Sequence, residues 1–171
     1  MKLILASTSP RRADILHAAG YSFTVLSSAV DETPFSGESP HDHVQRLAEA
    51  KAELVVGRAV GPAVIIAADT VVCLEGRIIG KPRTSDDARQ ILEQLSGRSH
   101  TVLTGVSLVR LPDGERRTFV ESTTVHFVRL ASDEIYNYIS IDEPSDKAGA
   151  YAIQGRASRY ISRIEGCYFN V

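Results

Sequence analysis

The segment at residues 2–20 reads KLILASTSPRRADILHAAG, and it decides the fold class. The stretch Lys2–Ala6 is apolar apart from its first residue, and it predicts a short buried strand. Ser9 then stands where a helix N-cap is expected and Pro10 at the first helical position, with the helix ending near Gly20. A buried strand that leads directly into a helix is the repeating step of an α/β domain.

The remainder of the chain continues this alternation and then changes to a long hairpin. The next predicted elements are a strand over Ser22–Ser28, a loop over Ala29–Ser39, a long helix from Ser39-Pro40, a strand over Ala63–Ala68 and a hairpin of Val71–Leu74 with Arg77–Ile79. They are followed by a helix over Ser85–Leu95, strands over His100–Leu111 and Arg116–Leu130 joined at Pro112-Asp113-Gly114, a helix over Ile135–Ile141, a loop over Asp142–Arg156 and a strand over Arg159–Ile164. We therefore predict a single α/β domain over residues 1–171, with a mixed central sheet and flanking helices.

Composition restricts the class of protein. The 171 residues include 19 basic and 21 acidic side chains, which gives a net charge of −2, and 43% of the residues are hydrophobic. These values are typical of a globular domain and exclude a disordered chain. Nucleic-acid-binding proteins usually carry a basic excess, so we expect no nucleic-acid partner. With this net charge, any cluster of basic side chains must be confined to a small part of the protein, which suggests a functional site.

Membrane and export functions are not expected. The longest apolar run, Ala63–Ala68, is far shorter than the ~20 residues of a membrane-spanning helix. The apolar stretch after Lys2 is also shorter than the roughly 7–15 residues of a signal-peptide core. Cys73 and Cys167 lie far apart and form no Cys-x-x-Cys motif. A reducing, cytoplasmic location fits this pattern best.

Charged residues stand where two predicted strands end. Asp69 and Thr70 follow an apolar strand, and ligands of open α/β sheets bind beyond the carboxyl ends of strands. Ser7, Arg11 and Arg12 surround the start of the first helix, where free N–H groups and bidentate guanidinium groups suit a phosphate. The alternatives are an Asp69 that only terminates a strand and a capped helix with solvated arginines.

Further polar residues are compatible with a site but ambiguous by themselves. Lys81 in Gly80-Lys81-Pro82 can present one cation from a turn, although the spacing is not that of a P-loop. Lys51 has small neighbours that would let it face a cleft, yet a lone helix lysine is more often solvated. Asp31 and Glu32 can bind a hard cation such as Mg²⁺ or can be a solvated loop pair.

Six short motifs occur in a fixed order along nearly the whole chain. They are residues 3–12 (LILASTSPRR), Asp31-Glu32, Ala50-Lys51-Ala52, residues 67–72 (AADTVV), Gly80-Lys81-Pro82 and Thr104-Gly105-Val106. In this order they resemble the Maf family of nucleoside triphosphate pyrophosphatases. Residues 146–155 (DKAGAYAIQG) are similar to the subgroup that prefers dTTP and UTP. The family pattern usually continues beyond Val171 with a Gly-Leu-Pro-type segment.

The resemblance implies a Maf/ITPase-like fold with two lobes around a cleft, usually as a homodimer. It also implies hydrolysis of dTTP, UTP or modified pyrimidine nucleotides to the monophosphate and pyrophosphate, with a divalent cation, Mg²⁺ or Mn²⁺. Relatives are associated with arrest of cell division, so the alternative hypothesis is a nucleotide-binding regulator that acts through a protein partner. An aspartate retained at the catalytic position, together with the cations, favours catalysis.

The resemblance also assigns roles to individual residues. Asp69 becomes the proton acceptor and, together with Glu32, the metal-binding group, while Lys51 and Lys81 join the catalytic set. The substrate-binding positions are Ser7, Arg11, Arg12, Thr70 and Gln154. Cations aimed at the phosphates would stabilise the charge that develops on the pyrophosphate leaving group.

Overall fold

The computed structural model describes residues 1–140 and 147–171. The first elements are strand β1 (Lys2–Ala6), helix α1 (Pro10–Ala18), strand β2 (Thr24–Val25), helix α2 (Pro40–Val56), strand β3 (Ala63–Leu74) and strand β4 (Arg77–Ile79). They are followed by helix α3 (Ser85–Leu95), strands β5 (Ser99–Leu111) and β6 (Arg116–Phe127), helix α4 (Ser132–Ile139) and strand β7 (Ile161–Glu165). Short 3₁₀ turns occupy Ala148–Ala150, Arg156–Tyr160 and Tyr168–Asn170.

The strands form one mixed sheet in the order β2-β1-β3-β5-β6-β7, and β4 pairs with β3 outside this path. Strand β1 runs parallel to both β2 and β3, so that Leu5 lies opposite Val25 on one side and Ile66 on the other. The β3–β4 and β6–β7 pairs are antiparallel. The predicted α/β class with a mixed sheet and helices is confirmed. None of the described helices is long and apolar enough to cross a bilayer.

The chain divides into two compact units, and the long strands β3, β5 and β6 contribute residues to both. Unit 1 comprises Met1–Asp69 and Thr104–Glu121, and unit 2 comprises Thr70–Leu103 and Ser122–Val171. Each unit has a hydrophobic core of its own. Because apolar burial is the main stabilising contribution to folding, each core holds the elements of its unit in place.

Unit 1 is built around an aliphatic core and one very close helix–sheet approach. The core residues are Ile4, Ala6, Ala52, Val55, Ala63, Ile65, Ala67 and Val109. Gly105 on β5 faces α2, and a Cβ added there would lie 2.2 Å from the carbonyl oxygen of Val44. Any side chain at Gly105 would therefore push α2 away from the sheet. This approach fixes the helix that carries Lys51.

Unit 2 has a larger core with several aromatic rings. Its buried residues include Leu92 and Leu95 of α3, Tyr138 of α4, Val125 and Phe127 of β6, and Tyr151 and Tyr160 of the C-terminal segment. The rings of Phe127 and Tyr151 meet edge to face, with centroids 4.9 Å apart. Such pairs stabilise a core beyond the apolar area that they bury.

Two predicted strand boundaries in the first half of the chain are wrong. Only Thr24–Val25 pairs within the predicted strand Ser22–Ser28, because β2 is an edge strand with one neighbour and both of its residues are exposed. Val71–Leu74 do not begin a separate strand but continue β3 through Asp69. The strand continues because most of its side chains are buried along its whole length, including those after Asp69.

Boundaries in the second half also shift. Strand β6 ends at Phe127 instead of Leu130, because the β6–β7 register changes between His126 and Phe127. Strand β7 begins at Ile161 instead of Arg159, after the 3₁₀ turn. Helix α4 begins at Ser132 and ends at Ile139. The predicted helix end at Ile141 and the start of the predicted loop, residues 142–146, lie outside the described residues.

Candidate active site

Lys51 is the centre of a buried charge cluster in unit 1. It lies on the same stripe of α2 as the core residues Val44, Leu47 and Val55, and its side chain is only 9% exposed. Its Nζ donates hydrogen bonds to Glu32 Oε1 and to Asp69 Oδ1, both at 2.6 Å. The alternative of a solvated lysine is therefore wrong.

Asp69 reaches this cluster from β3. Its side chain is 9% exposed, and the strand continues beyond it to Leu74, so the alternative of a strand terminator is also wrong. Ala6 at the end of β1 pairs with Ala67 in parallel register. Because the two strands are parallel, this register places Ser7, just after the end of β1, beside the part of β3 that carries Ala68 and Asp69.

Arg12 is a second, half-buried cation of unit 1. Its Nη1 donates to Ser7 Oγ at 3.1 Å, and the same hydroxyl oxygen accepts from the backbone N–H of Ser9 at 3.2 Å. Burial lowers the pKa of Arg12, and the negative charges of Asp69 and Glu32 oppose that change. A guanidinium group remains charged under such conditions. Arg12 thus supplies a fixed positive charge beside two carboxylates.

Asp31 and Glu32, for which cation binding and solvation were the two alternatives, turn to different partners. Glu32 turns towards Lys51, whereas Asp31 Oδ1 accepts from the backbone N–H of Thr33 at 2.9 Å and from its hydroxyl at 2.6 Å. These hydrogen bonds from Thr33 lower the pKa of Asp31. Asp31 therefore shapes the loop, and Glu32 meets Asp69 at the Lys51 ammonium group instead.

The remaining predicted site residues are Arg11, Thr70, Lys81 and Gln154. Arg11 is exposed on α1 of unit 1. Thr70, Lys81 and Gln154 belong to unit 2, where Thr70 is half-buried in β3 and the other two are exposed. Lys81 borders an open depression of about 260 Å³ together with Arg83, Asp87 and Gln90.

The comparisons with known proteins point to one family. A family model described as Maf-like protein matches residues 2–171. The chain belongs to the Maf family. Its relatives include a dTTP/UTP pyrophosphatase of Syntrophus aciditrophicus, 48% identical over 99% of this chain and 82% of the relative. Another, with the same name, comes from Geotalea uraniireducens and is 49% identical over 99% of this chain and 87% of the relative.

The fold has solved counterparts outside the close relatives. The Ham1 protein of Staphylococcus aureus superposes with a TM-score of 0.50 over 74% of this chain and 72% of its own, at 16% identity. At that identity the similarity shows the fold alone. The Maf family resemblance inferred from the six motifs is thus confirmed, and the Maf/ITPase-like fold class is supported.

A clamp centred on Glu38, which no sequence motif indicated, holds the Glu32 loop of this Maf protein. Glu38, whose side chain is 7% exposed, accepts from Arg46 through Nε at 2.5 Å and Nη2 at 2.9 Å. His43 Nδ1 lies 2.9 Å from the same carboxylate, and the N–H of Phe35 donates to it at 3.0 Å. The Arg46 guanidinium stacks on Phe35, 3.9 Å from the ring centroid.

The clamp links the loop to the helix that carries Lys51. Arg46 Nη2 also donates to the Thr33 carbonyl oxygen at 3.2 Å, next to Glu32. His43 and Arg46 are three residues apart on α2, and this spacing places them on one helix face. The sequence therefore indicates that His43 and Arg46 can share a partner. It does not indicate that this partner is Glu38.

We expect Glu38→Gln to remove an acid-sensitive part of the stability. Hydrogen bonds from Arg46, supported by His43 and the Phe35 N–H, hold the pKa of Glu38 well below its usual range. The ionised form therefore contributes stability above the unfolded pKa of ~4.3, and that contribution is lost as the pH falls towards the lower folded pKa. The Tm of Glu38→Gln should lie below the parent Tm at neutral pH, and this gap should narrow on acidification.

Thermal unfolding followed by circular dichroism from about pH 7 to about pH 3 measures this gap. Glu49→Gln, on the same helix but outside the clamp, is the control and should keep a constant offset from the parent. Parallel curves of Tm against pH for Glu38→Gln and the parent would contradict the role given to the clamp.

Proposed function

We propose that this Maf-family protein hydrolyses dTTP and UTP to the nucleoside monophosphate and pyrophosphate. The observation that carries the proposal is the Lys51 ammonium group, which joins the buried carboxylate of Asp69 to Glu32 beside Arg12. A binding-only regulator does not need a buried carboxylate held between cations, so the cluster favours catalysis over the regulator hypothesis. Relatives 48% and 49% identical are named dTTP/UTP pyrophosphatases.

In the proposed reaction, water attacks the α-phosphorus and pyrophosphate leaves. Asp69 accepts the proton of the attacking water, and its hydrogen bond to Lys51 fixes the direction of the carboxylate. Arg12, held by Ser7, binds phosphate oxygens, and Arg11 and Lys81 add further positive charge. These cations stabilise the negative charge that develops on the leaving group.

We further propose a divalent cation, Mg²⁺ or Mn²⁺, held by Glu32 and Asp69. Among the described residues, no group of three or more His, Cys, Asp or Glu side chains is placed to hold an ion. The two carboxylates still fit Mg²⁺, which is commonly bound by one or two carboxylates together with substrate phosphates. When bound, such an ion offsets phosphate charge as a Lewis acid.

Base selection is proposed for Gln154 together with Thr70 and Arg11, the three positions that the family resemblance ties to substrate choice. The N3–H and adjacent carbonyl of uracil or thymine match the oxygen and NH₂ group of one glutamine amide. Cytosine presents an unprotonated N3 beside an amino group, so the amide must be reversed to pair with it. Selectivity therefore depends on how firmly the amide is oriented.

We also propose a cellular location and an oligomeric state. We place the protein in the cytoplasm, which agrees with Cys73 and Cys167 both being free thiols. A homodimer is proposed from the family resemblance, and light scattering coupled to size-exclusion chromatography measures it.

Hydrolysis of a nucleotide panel in ¹⁸O-labelled water tests the reaction and the substrate together. We expect the label in the monophosphate, unlabelled pyrophosphate, and a kcat/KM for dTTP and UTP roughly 5–150-fold above that for dCTP and CTP, because a buried polar mismatch is costly. Gln154→Ala should shrink this ratio. Release of orthophosphate with a diphosphate product, or equal rates for all four pyrimidine nucleotides, would contradict the proposal.

A further inference from the structure

A buried pair of polar side chains in unit 2 has no part in the proposed reaction. His100 Nε2 and the Tyr151 hydroxyl are hydrogen-bonded at 2.7 Å, and the two residues are 3% and 4% exposed. Both rings pack edge to face against Phe127, with centroid distances of 5.1 and 4.9 Å. The pair is thus enclosed in the aromatic part of the core.

The pair is neutral at physiological pH. Burial lowers the pKa of His100 to about 4 and raises the pKa of Tyr151 above its ordinary value. Within the described residues, His100 Nδ1 has no hydrogen-bond partner. Burying the polar imidazole costs free energy, and its hydrogen bond to Tyr151 offsets only part of that cost. An apolar side chain at this position would not carry the cost. A directional contact of this kind fixes one arrangement of the chain.

Tyr151 stands at the end of a backbone segment that is tightly constrained. Gly149 and Ala150 have positive φ angles of 72° and 59°, and Ala150 is completely buried. A Cβ at Gly149 would lie 2.8 Å from Val72 Cγ2, so the segment lies directly on β3. The Gly149 N–H also donates to the Gly80 carbonyl oxygen at 3.3 Å. The segment is therefore attached both to the strand that carries Thr70 and to the turn that carries Lys81.

Gln154 follows Tyr151 by three residues. Its side chain is exposed, and its Nε2 lies 3.5 Å from the Val171 carbonyl oxygen, at the outer limit of a hydrogen bond. A contact of that length does not fix an amide. The backbone around Gln154 is held more closely, because the Gly155 N–H donates to the Ala152 carbonyl oxygen at 3.1 Å in the turn that follows Tyr151.

We propose that His100 and Tyr151 are positioning residues for base selection, because their hydrogen bond holds the segment that presents Gln154. This inference rests on the proposed function, and it adds two residues that touch no substrate. Loss of the hydrogen bond lets the segment relax, so that the Gln154 amide pairs with cytosine as well as with uracil or thymine. Asp69, Lys51 and Arg12, which are proposed for the reaction at the α-phosphorus, belong to unit 1, so kcat for dTTP is affected less than the choice of base.

The test compares dTTP with dCTP on purified full-length variants. Tyr151→Phe keeps the ring and removes the hydroxyl, and His100→Leu removes the other partner. We expect each to lower the dTTP:dCTP ratio of kcat/KM roughly two- to tenfold, the range for loss of one neutral hydrogen bond. The double variant should lower the ratio no further, because both changes remove the same contact. His100→Gln, which places an amide nitrogen near the position of Nε2, should restore part of the ratio.

Tyr160→Phe is the matched control. It removes another hydroxyl from the same core, one that donates to the Glu134 carbonyl oxygen at 3.3 Å and lies outside the Gln154 segment. A purely structural role for Tyr151 predicts that both phenylalanine variants lose stability and keep the dTTP:dCTP ratio, and that result would overturn the inference. If the parent itself shows equal kcat/KM for dTTP and dCTP, it is the proposed substrate choice that fails.

Discussion

Asp69→Asn should lower kcat for dTTP by about 10²–10⁴-fold at saturating Mg²⁺, which is the usual cost of removing a general base. The amide has nearly the same shape as the carboxylate but does not accept a proton from water. Lys51 keeps its hydrogen bond to Glu32 in this variant, so no buried cation is left without an anion. We therefore expect the fold and the affinity for dTTP to change little.

Steady-state kinetics and the Tm of the variant measure these two effects separately. Asp31→Asn is the control, because it makes the same chemical change in the same unit on a carboxylate that accepts hydrogen bonds from Thr33 in its own turn. Turnover of Asp69→Asn within a few-fold of the parent would remove Asp69 from the catalytic role. A large loss in Asp31→Asn would instead indicate a general charge effect.

The elements of this fold could be predicted because their signals are local. A proline after a serine marks the start of α2, where Ser39 Oγ accepts from the Asp42 N–H at 3.1 Å. The glycine of Pro112-Asp113-Gly114 likewise adopts a φ of +72° in the β5–β6 turn. Errors occurred where pairing partners decide the boundary, as at β2, whose length depends on a single neighbour.

The contacts of the site could not be predicted in the same way. The partners of Lys51 lie 19 and 18 residues away in the chain: Glu32 in a loop and Asp69 in strand β3. Its burial depends on the approach of α2 to β5 at Gly105, which is a property of the assembled unit. The family resemblance named Lys51, Glu32 and Asp69 as site residues. It did not indicate that one ammonium group joins the two carboxylates.

Glu38 and Tyr151 illustrate a second reason. Each is buried and hydrogen-bonded, yet each acts on the proposed site through the backbone of a neighbouring residue. Sequence patterns indicate chemistry where reactive groups occur, whereas supporting residues resemble ordinary core or loop residues. The supporting roles of Glu38 and Tyr151 can be inferred only from their distances to Arg46 and His100 in the structure.

Lys51→Met should lower both the stability of the protein and its turnover. Methionine fills much of the same volume but leaves Asp69 and Glu32 without the cation that lies 2.6 Å from each. Breaking a buried ion pair typically costs about 3–5 kcal/mol. Glu32 is 52% exposed and can turn into water, so we expect the free energy of unfolding to fall by about 3 kcal/mol, near the lower limit. Urea unfolding measures this loss, with the exposed Lys2→Met as the control.

The same variant should lose about 10²–10³-fold in kcat, because a fixed positive charge and the orientation of Asp69 disappear together. The decisive comparison is the double variant Lys51→Met/Asp69→Asn. If Lys51 acts on the reaction by holding Asp69, the double variant should be about as slow as the slower single variant. It should also unfold at higher urea than Lys51→Met, because the buried carboxylate that lost its cation is now a neutral amide. Additive losses in kcat would mean that Lys51 acts on the substrate independently, and Asp69 would then not be the group that it positions.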